Sequence, residues 1–270
     1  HVISIGDDSF DLSGTRIALM IAGLGAVLAG TVTRRRLRRF RVSKPEALGL
    51  VPKLKRPPAE GLFVAFEGVE GSGKGTQIRL AKEWLESQEI DVLVTREPGG
   101  TPVGEELRRV LLAHDTGHIE PKTEALLFAA SRAQHVASVI RPALAEGHVV
   151  ITDRYIDSSL AYQGGARGLG EQDILTLNVW ATQGLFPDLV LLLHLEPEAG
   201  LLRSLEEPDR IEVEGQDFHA KVSDAYLRIA EEHPERVVVV DADQTPDMVH
   251  EQVVEALSRV LKERDDGRAS

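Results

Sequence analysis

The 270 residues contain no cysteine. Disulfides, thiolate metal sites and a cysteine nucleophile are therefore excluded, and an intracellular domain fits that usage. No internal repeat or low-complexity tract is present. Positive charge is also lacking overall, with a formal net charge of −12. It is unevenly spread: residues 1–60 hold 11 Lys and Arg against 5 Asp and Glu, and residues 61–270 hold 20 against 38. The acidic main body argues against a general nucleic-acid binder. An anionic ligand would need a local cluster of arginine and lysine. A content of 42% hydrophobic and 27% charged residues is that of an ordinary globular chain.

The chain begins at His1, not Met, and reads as a piece of something longer or a processed product. Charge is absent over the seventeen residues from Ile17 to Thr33. A helix there would be about 26 Å long, slightly short of a bilayer core. Asp7, Asp8 and Asp11 precede it; Arg34, Arg35, Arg36, Arg38, Arg39 and Arg41 follow. That polarity is the reverse of a signal peptide and matches the positive-inside rule. Ala22, Ala26 and Gly30 form a small-residue stripe suited to close helix approach. The expectation is an extracytoplasmic stub and a transmembrane helix (17–33) within residues 1–33. A basic linker over 34–60 with Pro45, Pro52, Pro57 and Pro58 follows, then a cytoplasmic domain over 61–270 tethered to the cell membrane. A buried soluble helix or a disordered leader is the competing reading of 17–33.

Beyond residue 60, short apolar runs alternate with longer helical patterns. Strands are expected over Gly61–Phe66, Asp91–Thr95, His148–Thr152, Asp188–Leu195 and Arg236–Val240. Their continuous apolar character suits a parallel sheet buried on both faces. Helices are expected over Thr76–Ser87, Gly104–Leu112, Lys122–Glu146, Glu171–Thr182, Glu198–Leu205, Asp217–Glu232 and Pro246–Glu263. The alternation predicts an α/β, doubly wound three-layer fold with a five-stranded parallel sheet, whose ligands belong at the carboxyl ends of the strands.

The first of these strands runs into Gly68-Val69-Glu70-Gly71-Ser72-Gly73-Lys74-Gly75-Thr76, and a helix follows. Gly68-x-x-x-x-Gly73-Lys74 is the spacing of a phosphate-binding P-loop. Glycines let successive N–H groups converge on one anion, and the helix N-terminus adds its dipole. Gly68, Gly71, Ser72, Gly73, Lys74, Gly75 and Thr76 are thus candidates for binding ATP, with Lys74 bridging the β- and γ-phosphates. The residue after the lysine, where a hydroxyl usually meets Mg²⁺, is Gly75; Thr76 is next. Mg²⁺ would then lean on phosphates, waters, Thr76 and Asp153, which ends the third strand.

Three further blocks occur in order: Thr95-Arg96-Glu97-Pro98-Gly99-Gly100-Thr101; Phe128-x-x-x-Arg132-Ala133-Gln134-His135; and Asp153-Arg154-Tyr155-x-x-Ser158-Ser159-x-Ala161-Tyr162-Gln163. With the P-loop, they make residues 61–261 resemble thymidylate kinases, P-loop nucleoside-monophosphate kinases that move the γ-phosphoryl of ATP onto dTMP. The resemblance implies a P-loop NTPase fold, Mg²⁺ as the cofactor with ATP, and a homodimer. It extends to fusions in which such a kinase follows a transporter-like membrane region. It also implies roles. Phe128 would stack on thymine, and Arg132, on the same helix face, would donate to a pyrimidine carbonyl. Ser159 and Gln163 would read the base edge, Tyr162 would pack beside the sugar, and Glu70 would take the 3′-hydroxyl. Arg96 and Arg154 would hold the acceptor phosphate, and Glu97 would order the region.

Arg154 and Lys74 would be joined in catalysis by lid arginines, of which the segment before Asp209-Arg210-Ile211-Glu212 offers Arg203 and Arg210. The lid is short and acidic, the P-loop has no arginine, and Ser131 replaces a common acid. A weakly catalytic nucleotide-binding regulatory module is therefore an alternative reading, as is a kinase of another pyrimidine monophosphate.

Overall fold

A computed structural model describes residues 2–5, 8–11, 61–196, 199–200 and 209–269. Near the N-terminus, β1 (Val2–Ile5) and β2 (Asp8–Asp11) form an antiparallel hairpin, with Val2 opposite Asp11 and Ile5 opposite Asp8. Aspartate is a poor strand former, so this hairpin carries no signal in the sequence.

The expectation of a membrane tether is corrected. Among the described residues, no helix is long and apolar enough to cross a membrane. Residues 17–33 and the linker 34–60 lie outside the described residues.

Five parallel strands form the central sheet: β3 (Leu62–Glu67), β4 (Val92–Arg96), β5 (Val149–Asp153), β6 (Leu189–His194) and β7 (Val237–Asp241). Their spatial order is β4-β5-β3-β6-β7. The chain thus builds one side of β3 and then the other, and the crevice above β3 and β5 is the switch point where α/β folds bind ligands. Phe66 lies beside Asp153 and Arg96 beside Asp153 on the other flank. The ends of three strands therefore bring the P-loop, Arg96 and Asp153 together.

Burial on both faces holds for β3, β5 and β6 but not for the edges. Val94 on β4 is 38% exposed and Val239 on β7 is 45% exposed. An edge strand has a neighbour on one side alone, so its apolar residues include some that face solvent.

The helices are α1 (Lys74–Ser87), α2 (Pro102–Leu112), α3 (Pro121–His135), α4 (Ile156–Ser159), α5 (Glu171–Thr182), α6 (Gln216–Glu232) and α7 (Pro246–Ala269). Thr101 caps α2, its hydroxyl accepting from Gly104 N at 2.9 Å, and Pro102 takes the first position, where its missing N–H costs nothing. Beyond α3 the chain continues through a π-helical turn (Val136–Ile140) and a last α-helical turn (Arg141–Ala145). The α4 segment likewise continues as a π-helix over Leu160–Ala166. No helix was expected at 156–166. Its polar Ser158-Ser159 start and Gly164-Gly165 end lack a 3.6-residue apolar period. The wider π turn re-aims the side chains it carries, among them Tyr162 and Gln163.

Leu191, in the middle of β6, has no exposure. Leu191→Ala should cost about 2–5 kcal/mol of stability, read as a lower urea midpoint with unchanged slope.

Candidate active site

Sequence forces the P-loop's path. Gly68, Gly71 and Gly73 have φ of 141°, 70° and 87°, which side-chain-bearing residues rarely adopt. A Cβ on Gly71 would sit 2.0 Å from the Gly200 carbonyl oxygen. Gly75 has open space around it, so crowding does not explain the absence of a hydroxyl there. Lys74 is buried and folds back over the loop, donating to Val69 O at 3.0 Å and Gly68 O at 3.3 Å. Burial, with Arg154 nearby, lowers its pKa, while Asp153, Glu70 and Glu67 oppose the shift.

The loop opens onto a cavity of about 520 Å³, a size that suits a small ligand. Glu70, Gly71, Gly73, Lys74, Gly75 and Thr76 line one side; Arg96, Glu97, Phe128 and Arg132 another; and Asp153, Arg154, Ser159, Tyr162 and Gln163 a third. The structure therefore gathers residues from Glu70 to His219 around one space. Gly68 and Ser72 do not line it; Ser72 Oγ is buried without a hydrogen-bond partner.

Arg154 has φ 68°, a costly conformation for a non-glycine residue. The cause is Glu67, the fully buried last residue of β3. Its carboxyl group accepts from Tyr155 N (2.8 Å), Ser158 N (3.2 Å), Ser158 Oγ (2.5 Å) and Tyr226 OH (2.8 Å). These bonds turn the chain immediately after β5. The Arg154 guanidinium then donates to Gly68 O at 3.0 Å and lies 5.3 Å from the Tyr162 ring centroid. Its NH2 is 3.8 Å from Glu70.

On the opposite wall, Arg132 is buried and nearly spent. Nε donates to Glu97 at 2.6 Å, NH1 to Ser159 Oγ at 2.9 Å and to Asn178 Oδ1, and NH2 to Tyr155 O at 2.9 Å. Of the five N–H groups a guanidinium carries, one remains for the cavity. The other Glu97 oxygen meets His135 Nδ1 at 2.9 Å, and His135 Nε2 meets Thr95 Oγ1 at 2.6 Å. Glu97 is thus a brace whose carboxylate is taken up by protein. Ser131, read as a departure, accepts from Gly99 N at 3.2 Å and so supports the turn beyond the cis Glu97-Pro98 bond. Arg96 pairs with both Glu105 oxygens at 3.1 Å and stays exposed.

Arg210 is turned elsewhere. It does not line the cavity; Nε donates to Leu111 O at 2.8 Å and NH2 to Glu124 at 2.7 Å. Arg203 lies in 201–208, outside the described residues.

Several cavity residues escaped the sequence reading: Arg108, Ser158, Asp209, Glu212 and His219. Asp209 and Glu212 had a signal. Asp209 Oδ1 accepts from Ile211 N and Glu212 N at 2.8 and 2.9 Å, and Glu212 returns a bond from Asp209 N at 2.9 Å. Asp-x-x-Glu is the spacing of such a reciprocal pair. Glu67 had none, since its role depends on the distant Tyr226.

Asp153 Oδ1 is buried with no hydrogen-bond partner. A buried carboxylate oxygen in that state fits a metal ion or its water shell, and Thr76 lines the same cavity.

Comparison with known proteins agrees with this geometry. The family model described as thymidylate kinase matches residues 66–253. A thymidylate kinase of Clavibacter sepedonicus is 51% identical over 185 residues, covering 67% of this chain and 87% of that protein. One from Halalkalibacterium halodurans is 46% identical over 209 residues, covering 76% and 98%. One from Caldanaerobacter subterraneus is 47% identical over 203 residues, covering 75% and 97%.

Burial raises the Glu212 pKa to about 7, with Asp209 and Glu70 adding to the rise. A carboxyl group whose folded pKa is raised binds more protons folded than unfolded, so its cost to stability appears as pH rises from about 4.5 to 7. Glu212→Gln should therefore raise the melting temperature of the ligand-free protein at pH 8, by the equivalent of about 1 kcal/mol after solvent screening. At pH 4.5 the melting temperature should not change.

Proposed function

This chain belongs to the thymidylate kinase family, and on that premise we propose that it transfers the γ-phosphoryl group of ATP to dTMP, giving ADP and dTDP. The observation that carries this reading is a single cavity with the P-loop on one side and the Phe128–Arg132 pair on another.

In this reading ATP phosphates replace the Gly68 and Val69 carbonyls as partners of Lys74, and N–H groups of the loop, Gly71 to Thr76, cradle them. Thymine stacks on Phe128. The one free N–H of Arg132 meets a base carbonyl, and Ser159 and Gln163 meet the base edge. Tyr162 packs beside the sugar, where a 2′-hydroxyl would crowd it, and Glu70 takes the 3′-hydroxyl. Arg154 and Arg96 hold the acceptor phosphate.

That phosphate is already an anionic nucleophile. One of its oxygens attacks the γ-phosphorus, the bond to the β,γ-bridging oxygen breaks, and ADP leaves with the electron pair. No general base is needed; alignment and charge neutralisation do the work. Asp153 and Thr76 would hold Mg²⁺, which would supply further charge neutralisation. Lys74, Arg154 and Arg203 are assigned to the moving group. Arg210 is assigned to positioning, because Glu124 and Leu111 engage it.

The reading extends to a homodimer. Val103, Leu126 and Trp180 are exposed on α2, α3 and α5, three helices packed in series, and Trp180 is 80% exposed. An aromatic that open on a helix face suits a subunit contact.

The test is ADP release by the full chain with Mg·ATP against dTMP, dUMP, UMP, CMP and AMP. The expected result is preferred turnover of dTMP that falls at least about 100-fold in Lys74→Ala. Binding of dTMP and ATP with no acceptor giving ADP above that variant would refute the kinase reading. Trp180→Lys should lower the sedimentation mass from dimer to monomer at micromolar concentration; an unchanged mass refutes this interface.

A further inference from the structure

Glu124 sits on α3, is 1% exposed and does not line the cavity. Its carboxylate accepts four hydrogen bonds. Oε1 takes Gln163 Nε2 at 3.0 Å and Arg167 Nε at 3.2 Å; Oε2 takes Arg167 NH2 at 3.2 Å and Arg210 NH2 at 2.7 Å. Burial favours the protonated form, but these bonds outweigh it and hold the pKa below the ordinary value. Glu124 is therefore an acceptor with no proton to give.

A neighbouring amide can face such a group only through its NH2. Gln163 is 2% exposed and lines the cavity. With one N–H of Nε2 committed to Glu124, which fixes the amide's orientation, Oε1 is the acceptor left for a ligand. We infer that Glu124 is a specificity-determining positioning residue, which fixes the Gln163 amide so that an acceptor oxygen meets the pyrimidine edge and selects a base with an N–H there. This rests on the reading of Gln163 as a base contact. Thymine presents N3–H; cytosine presents a bare N3, which would meet Oε1 lone pair to lone pair. A Gln163 free to turn over would serve both. The carboxylate is itself held. Arg167 also donates to Glu214 at 2.5 Å, and Arg210 to Leu111 O, so the segment after the lid and the end of α2 anchor the base-reading amide.

Glu124→Gln makes this testable by nearly isosteric exchange. The two arginine bonds to Oε2 would claim the new amide's oxygen, and its NH2 would fall at the Oε1 position, facing Gln163. Gln163 must then turn over and offer its own NH2 to the base. The measurement is kcat/KM for dTMP and for 5-methyl-dCMP, which share the methyl group and differ at N3 and position 4. It is made on the full chain, on Glu124→Gln, on Gln163→Met, and on Glu124→Gln combined with Arg210→Gln. The double variant removes one charge of each sign, and serves if an unbalanced arginine prevents the single variant from folding.

The expected result is a fall of about tenfold in the preference for dTMP in both Glu124 variants, and at least as large a fall in Gln163→Met. Arg132 keeps its share of the discrimination throughout. If activity falls equally on both substrates in the Glu124 variants while Gln163→Met shifts the ratio, Glu124 is merely structural and Gln163 remains the reader. An unchanged ratio in Gln163→Met overturns both.

Discussion

A buried carboxyl group at the end of the central strand organises this molecule. Glu67 has no exposure, and burial together with the nearby Asp157 charge raises its pKa. An unpaired acid there would be costly. It is instead wrapped by Tyr155 N, Ser158 N, Ser158 Oγ and Tyr226 OH. Those bonds fix where the chain turns after β5, and that turn places Arg154 beside the P-loop carbonyl of Gly68. Asp157, one turn on, is tied to Arg236 through two bonds of 2.7 and 2.9 Å, so α4 is pinned to the start of β7 as well.

The same economy recurs on the base side. Arg132 would be expensive to bury unless its charge and N–H groups were met, and Glu97, Ser159, Asn178 and Tyr155 meet them. The result is a guanidinium with one direction left to donate. Glu124 does the equivalent for an amide. In both cases a buried acid converts a flexible polar side chain into one with a defined donor or acceptor face. On the proposed function, such fixed faces are what would tell thymine from cytosine, since a misdirected donor leaves a buried group unpaired.

The P-loop was legible from residue spacing, and the other candidate residues from the resemblance to thymidylate kinases. Lys74, Arg154, Phe128, Arg132, Tyr162 and Gln163 all line the cavity, because their blocks end strands or share a helix face. The strand positions were off by about one residue, as expected where hydrogen bonding, not apolarity, sets the ends. Arg210 was not legible in this way. An arginine in a lid block looks free in one dimension, yet Glu124 on α3, 86 positions away, holds it. The hairpin Val2–Ile5/Asp8–Asp11 and the helix at Ile156 were illegible for the opposite reason: neither has an apolar period.

The sequence by itself determined the parallel α/β fold, through apolar strands alternating with helices. It also determined the phosphate loop, because glycine spacing is a backbone requirement local to a few residues. Only the tertiary structure decided which charges face the ligand and which face one another. Glu67, Glu97, Glu124, Arg132 and Arg210 are chemically able to do either. The partner that burial brings within about 3 Å makes the choice, and such partners lie 23 to 159 positions away along the chain.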